Sequence, residues 1–307
     1  MTAPYRFELR AGARGRIVRR LQQRVGVAAD GVLGPKTLAA ASKALGRPST
    51  AYSVDARSLR TLGLDVRLVV DLSGHNEGGN KRPVDFRQLA GAGVFAVWLK
   101  ASEGASYFND EAIRQAGAAV DAGLWIGCYH FGDLSTDHRG LDEAAVREDA
   151  RWEADHYLAS RAQILNGQKP KLADVLDVER ELKKRLGRQL LSLVGFGPLA
   201  KRAALAVIWC LTWLEAVEVA TGRRPWVYTA KWVVDSYLRW APADLLAQLA
   251  TYNLWVASYN DGCYPKRVPS PWAEVHCHQF TGRGEIGGVD GLVDLNWAAV
   301  DDLAGAA

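Results

Sequence analysis

From Val66 onward the chain alternates short apolar runs with stretches of helical periodicity, and this alternation constrains the fold more than any other feature. The runs read RLVVDLS, FAVWLKAS, GLWIGCYHF, ADVLDVE, RPWVYT, LWVASY, EVHCHQF and GLVDLN. Recurring strand-then-helix units call for a largely parallel sheet with helices laid over it. About eight strands in roughly 240 residues fit a closed barrel better than an open sheet. The expected class is therefore α/β, a TIM-like (β/α) barrel whose last units leave room for an irregular or antiparallel strand. Polar residues gather at the C-terminal ends of the runs, which is where such barrels carry their sites.

Ahead of the barrel, residues 12–46 read as two short helices around a tight loop. Ile17, Leu21 and Val25 repeat at helical spacing, Asp30-Gly31-Val32-Leu33-Gly34 turns, and Pro35 opens the second helix. The expected organisation is a small all-α helical domain over 1–46, a connector rich in small polar residues over 47–65, and the barrel over 66–307. Arginines crowd the first segment at Arg6, Arg10, Arg14, Arg16, Arg19, Arg20 and Arg24, although the net charge is only +4. Such a local excess points to an anionic partner, either nucleic acid or a bacterial wall with its carboxylates and phosphates.

The start, MTAPYRFELRAG, lacks the apolar core of a secretory signal, and ALAVIWCLTWL at 204–214 is too short to span a bilayer before Glu215. The expectation is a soluble product of the cytoplasm. Cys128, Cys210, Cys263 and Cys277 show no CxxC spacing and are expected to be mostly buried thiols, with a Cys263–Cys277 bridge left open.

Chemistry-bearing residues cluster at strand ends. In KLADVLDVER, Asp177 and Glu179 stand two apart, so on a strand both carboxylates leave the same face. Two acids aimed into one mouth repel each other, and burial adds to that, which holds one proton above its normal pKa and suits general acid chemistry. Asp71 in LVVDLS and Asp294 in GLVDLN end the first and last runs. Closing a barrel makes those strands neighbours and brings all four acids to one rim.

Plainer readings stand beside this one. A single acid is usually a solvated group or a helix cap, and the same oxygens could hold a divalent cation. No metal or cofactor is expected, because the spacing specifies no coordination shell. His276 and His278 around Cys277 have ligand-like spacing, but no further ligand completes a site. The chain has no GxSxG elbow, GxGxxG turn or P-loop, which argues against serine hydrolases and nucleotide binders. Aromatic residues close several runs, including Trp98, Tyr129, Tyr228, Trp255 and Tyr259. Beside the acids, their faces suit sugar rings.

Residues from about 66 to 304 resemble glycoside hydrolase family 25, the Chalaropsis-type lysozymes, motif after motif in chain order. The resemblance rests on Asp71-Leu72-Ser73, Lys100-Ala101-Ser102-Glu103-Gly104, Gly127-Cys128-Tyr129-His130-Phe131 and Leu176-Asp177-Val178-Glu179. It continues through Tyr228-Thr229, Leu254-Trp255-Val256-Ala257-Ser258-Tyr259, Gln279-Phe280-Thr281 and Val293-Asp294-Leu295-Asn296. Residues 8–46 are similar to small helical peptidoglycan-binding domains through LRAGARGRIVRRLQQRVG and DGVLGPKTLAAA. The chain departs from the family after Asp71, where Asn76-Glu77 replaces the usual Gln-Gly.

The resemblance implies hydrolysis of the β-1,4 bond between N-acetylmuramic acid and N-acetylglucosamine, with retention. Glu179 would serve as acid and then base. Asp177 would steady the substrate's own 2-acetamido group, since two acids on one strand leave little room for attack from opposite faces. Asp71 and Asp294 would tune the charge. Lys100, Glu103, Tyr129, His130, Tyr228 and Gln279 would shape the cleft, with Trp255 and Tyr259 as aromatic surfaces. The partner implied is peptidoglycan rather than nucleic acid, bound by a monomer that is not embedded in a membrane. A wall-binding unit without an export signal suggests a phage endolysin released onto the wall, with a bacterial autolysin or an inactive wall-binding protein as alternatives.

Overall fold

The computed structural model describes residues 5–47, 53–77, 81–134, 142–179, 196–259, 264–265 and 267–304. The first segment holds strand β1 (Glu8–Arg10), helices α1 (Arg16–Arg24) and α2 (Pro35–Ala44), strand β2 (Ser53–Asp55) and helix α3 (Ala56–Thr61). The remainder runs β3 (Val66–Leu72), α4 (Phe86–Gly91), β4 (Val94–Glu103), β5 (Tyr107–Phe108), α5 (Glu111–Asp121), β6 (Trp125–Phe131), α6 (Glu143–Leu165) and β7 (Val175–Val178). It continues with α7 (Phe196–Thr221), β8 (Trp226–Ala230), α8 (Lys231–Ser236), α9 (Ala243–Leu249), β9 (Asn253–Ala257), β10 (Cys277–Gly284), β11 (Val293–Ala299) and α10 (Val300–Ala304).

Strands pair in the order β3-β11-β10-β9-β8-β7-β6-β4, and β3 also pairs with β4, which closes an eight-stranded barrel with β5 as a short hairpin on β4. All neighbours run parallel except β11, which is antiparallel to both β10 and β3. The antiparallel strand falls where the sequence left room for one. Asp294 accordingly stands near the start of its strand, not at the end of one as the apolar run suggested. Its partner across the β11–β3 pair is Asp71.

Tryptophans plug the barrel. Trp98 stacks on Trp255 with ring centroids 4.6 Å apart and meets Trp226 at 5.6 Å. Gly127 leaves room for this layer, because a Cβ there would lie 2.9 Å from the Trp98 indole and 2.7 Å from Leu172 Cβ. A filled floor beneath a polar rim makes the barrel a packed core and confines solvent to its mouth.

The N-terminal unit differs from the expected all-α domain on a free connector. Its two ends form an antiparallel ribbon, Leu9 opposite Val54, and α3 follows directly, so part of 47–65 is regular structure. The unit is also not separate. Among the described residues no helix follows β9 or β10, and the small unit covers the outer side of this region. Phe7 meets Trp297 and Tyr264 edge-on at 5.6 and 6.0 Å, and Tyr5 packs on Phe280 at 5.7 Å. Its buried side chains join those of the barrel in one continuous core.

Three of the crowded arginines serve this junction. Arg16 and Arg20 bond to the fully buried carboxylate of Asp302 at 2.7 and 2.9 Å, and Arg16 and Arg19 both reach Glu274. The anionic partner of these three is the barrel itself, whereas Arg10 pairs with Glu8 of its own strand. The Asp-Gly-x-x-Gly-x-x-Thr stretch is likewise structural: Gln22 donates to Asp30, the Val32 carbonyl and Thr37, and accepts from the Gly31 amide. Gly31 takes φ +74°, which glycine adopts without the Cβ penalty.

Helix α7 runs past the apolar stretch at 204–214, and Glu215 faces solvent without interrupting it. Leu199–Thr221 is long and apolar enough to cross a membrane by length and composition, but 67% of that window is buried inside the protein. It packs on α6, with Trp209 Nε1 donating to Asp149 and Arg147 to Thr212. Cys128, Cys210 and Cys277 are free buried thiols, and Cys263 lies outside the described residues.

Candidate active site

Strand alternation decides which side chains reach the mouth. Lys100, Tyr129, Asp177, Tyr228, Trp255 and Gln279 point inward from six successive barrel strands, and Asp71 and Asp294 complete the ring. With Glu103, Glu179 and Tyr259 from the ends and loops above, they line one cleft of about 290 Å³. Asp177 and Glu179 converge, and five acids share the site: the four expected, Asp71, Asp177, Glu179 and Asp294, together with Glu103. Ser73, His75 and Phe131 also line the cleft and were not singled out from sequence.

Beneath the surface an ordered set of hydrogen bonds holds the acids. Asn296 donates from Nδ2 to Asp71 Oδ1 at 2.7 Å and to the Val69 carbonyl, and accepts from Trp255 Nε1 at 2.7 Å. Its donor-only and acceptor-only partners fix the orientation of the amide. Gln279 Nε2 faces the same carboxylate at 3.3 and 3.4 Å, and its Oε1 accepts from the hydroxyls of Tyr228 at 2.9 Å and Tyr259 at 3.0 Å. Tyr228 also lies 3.0 Å from Glu179 Oε1. Asn296 was missed from sequence, although its place two residues beyond Asp294 sets it on the same inward face.

Electrostatics follow from burial. Asp177 is held well above the usual carboxylate range, first by desolvation and then by Glu179, with Lys100 opposing. Asp71 is likewise raised by burial and by Asp294, against the bonds from Asn296 and Gln279. Glu179 is raised by burial, opposed by the Tyr228 hydroxyl and Lys100, and Asp294 is pushed up to about 6 by burial and Glu179. Among the described residues that line the cleft, Lys100 is the cation set against these acids, 2.6 Å from Glu103, with its ammonium 4.7 Å from the Phe131 ring centroid. Among the described residues, Asp177 Oδ1 is buried with no hydrogen-bond partner. An orphaned oxygen in a cleft is an open valence for an incoming donor.

His130 is the exception among the expected cleft residues. It follows inward-facing Tyr129, so it points outward and is sealed between the barrel wall and the helices. Nδ1 meets Ser102 Oγ and Nε2 meets Glu153, each at 2.9 Å, and the ring stacks on Trp213. Ser, His and Glu in hydrogen-bonded series have the form of a nucleophilic triad, but Ser102 and His130 are wholly buried and no substrate reaches them. Burial lowers the His130 pKa to about 3, so the ring is neutral. The two histidines around Cys277 are hydrogen-bonded to the main chain: His276 Nδ1 accepts from the Leu254 amide, and His278 Nε2 lies 2.7 Å from the Ser258 carbonyl. Glu77, in the departing segment, accepts from the Val84 amide and pairs with Arg114.

Comparison with curated proteins gives no match. Among solved structures, the spore cortex lytic enzyme SleM of Clostridium perfringens shares 25% identity at a TM-score of 0.58, covering 78% of this chain and 69% of that one. The lysozyme of Streptomyces coelicolor shares 19% identity at 0.55, covering 78% and 98%. The catalytic domain of the endolysin ply40, from bacteriophage P40 of Listeria monocytogenes, shares 22% at 0.54, covering 78% and 97%. The sequence model described as glycosyl hydrolases family 25 matches residues 70–289, well over half of the chain and without the N-terminal unit. A closed barrel with this cleft and this match has one classification: the chain belongs to glycosyl hydrolases family 25.

Proposed function

We propose that the chain is an N-acetylmuramidase that cleaves the β-1,4 bond between N-acetylmuramic acid and N-acetylglucosamine in peptidoglycan, with retention. The observation that carries this reading is the convergence of Asp71, Asp177, Glu179 and Asp294 in one cleft. Glu179, partly buried and raised in pKa, donates a proton to the leaving oxygen. The carbonyl oxygen of the 2-acetamido group attacks the anomeric carbon from within the substrate, and Asp177 accepts the acetamido N–H through Oδ1, which has no partner among the described residues. Water then opens the cyclic intermediate and returns its proton to Glu179, which closes the cycle with the configuration retained. Asp71 and Asp294 face the developing cation, whose positive charge favours their ionised forms against the burial that raises them. Lys100, Glu103, Tyr129, Tyr228, Trp255, Tyr259 and Gln279 shape the cleft around the sugars.

The N-terminal unit acts as the wall-binding part, and the whole works as a monomer. The reading extends to a phage endolysin, made in the host cytoplasm and acting on the wall after release, with a bacterial autolysin of the same chemistry as the other origin. Purified wall digested by the protein tests the chemistry. New muramic-acid reducing ends in the mass spectrum support it, and new glucosamine ends replace it with a glucosaminidase. Glu179→Gln should abolish clearing. Clearing at the wild-type rate refutes the acid assignment, and a wild-type protein that binds wall without clearing it is a wall-binding protein only.

A further inference from the structure

Tyr228 has one hydroxyl proton and two acceptors within reach, Glu179 Oε1 at 3.0 Å and Gln279 Oε1 at 2.9 Å. A single proton cannot serve both at once. Gln279 Oε1 has a second donor, the Tyr259 hydroxyl at 3.0 Å, so it stays satisfied when Tyr228 turns away. Gln279 is almost fully buried, which makes that second donor matter, because a buried carbonyl without a donor is costly. The amide is held the right way round from below, since its NH2 faces Asp71, whose Oδ1 already serves as an acceptor for Asn296 Nδ2.

We infer that the Gln279 amide oxygen is a shared acceptor that lets the Tyr228 hydroxyl swing between Gln279 and Glu179 as Glu179 regains and gives up its proton, with Tyr259 holding Gln279 in the interval. The inference rests on the reading of Glu179 as acid and base. While Glu179 is a neutral acid, the amide carbonyl is the better acceptor and Tyr228 donates to it. Once Glu179 has given its proton to the leaving group, its carboxylate is the stronger acceptor and the Tyr228 O–H rotates to it. When water returns a proton to Glu179, the hydroxyl swings back. No proton leaves Tyr228 at any stage. Gln279 is thus a positioning residue acting through Tyr228, and Tyr259 completes the device from the rim.

Glu179 also faces Asp177 from its own chain segment, Lys100 from β4, Asp71 from β3, Asp294 from β11 and Tyr129 from β6, with Glu103 and His75 in the same cleft. None of these is altered in the test, which uses the isosteric changes Tyr228→Phe and Tyr259→Phe singly and together. The readout is the alkaline limb of the clearing rate against pH at limiting wall, which reports the free enzyme's acid. Tyr228→Phe removes the donor from the carboxylate and moves the limb up by about one pH unit, the advantage of a charge-assisted bond over a neutral one. Tyr259→Phe leaves Gln279 bare whenever Tyr228 turns to Glu179, so it also moves the limb up.

In the Tyr228→Phe background the second change produces no further movement, because nothing is left to swing. A purely structural role for Tyr259 would lower the rate without moving the limb. Where turnover is too slow to profile, the carboxyl carbon of Glu179 followed by NMR through a pH titration reads the same shifts. The inference is overturned if Tyr228→Phe leaves the limb in place, or if Tyr259→Phe moves it equally in both backgrounds. Failure of the acid assignment itself is distinct, since it appears as wild-type clearing by Glu179→Gln.

Discussion

Replacing Phe7 by Ala probes whether the small N-terminal unit is an appended module or part of the barrel's own fabric. Phe7 is 1% exposed and lies edge-on to both Tyr264 and Trp297, so truncation opens a void at the junction and removes contacts on both sides of it. Loss of a buried Phe side chain costs about 3–5 kcal/mol. Unfolding entropy scales at about 2.1 cal/mol/K per residue, or about 0.6 kcal/mol/K for a chain of this size. If unit and barrel melt together, the midpoint should fall by about 5–8 °C. Calorimetry at fixed scan rate should show one endotherm in the parent protein and one, displaced, in the variant. The clearing activity should be lost over the same temperature interval. Two endotherms in the parent, or a variant in which only a minor early transition moves, would refute the single-core reasoning.

Three further outcomes follow from the same structure. Asp294→Asn should raise the melting midpoint above pH 6 and leave it nearly unchanged at pH 4. The folded-state pKa of about 6 lies above the unfolded value, so this acid's stabilising contribution is present at low pH and lost as pH rises through 6. The gain in the variant is about 1–3 kcal/mol by chemical denaturation at pH 7.5. Asp302→Ala should cost about 2–4 kcal/mol, because it strands two arginines at a buried carboxylate site, whereas Glu274→Ala, at a more exposed site, should cost under about 1 kcal/mol. A thermal-shift series on the two variants ranks them. His130→Ala should lower stability by about 2–4 kcal/mol while leaving the apparent KM for wall within about twofold, since the ring sits behind the wall of the barrel. A large rise in KM with stability intact would return His130 to the cleft.

Much of the barrel was legible because its strands are buried on both faces and so leave continuous apolar runs with acids at their ends. The pairing of Asp71 with Asp294 followed from closure alone, and the convergence of Asp177 and Glu179 from the two-residue period of a strand. The same period carried a warning that motif reading overrode. Tyr129 and His130 are adjacent, so only one of them can face the cleft. Other features needed partners far away in sequence. Asp302 and Glu274 turn Arg16, Arg19 and Arg20 into a junction, yet they stand more than 250 positions beyond Arg16 and Arg19. Asn296 was overlooked because an uncharged amide signals no chemistry by itself, and its role appears only once Trp255, Val69 and Asp71 surround it.

The reversed direction of β11 has a topological result. Because that strand starts at the mouth with Asp294 and ends with Ala299 beside Val66, the chain descends away from the sugar-facing rim as it finishes the barrel. Helix α10 then meets the arginines of α1 at the opposite end, where Asp302 is clasped. Cargo fused beyond residue 304 would hang from the underside of the molecule, leaving the approach to the four acids unobstructed for a polymer as bulky as a glycan strand.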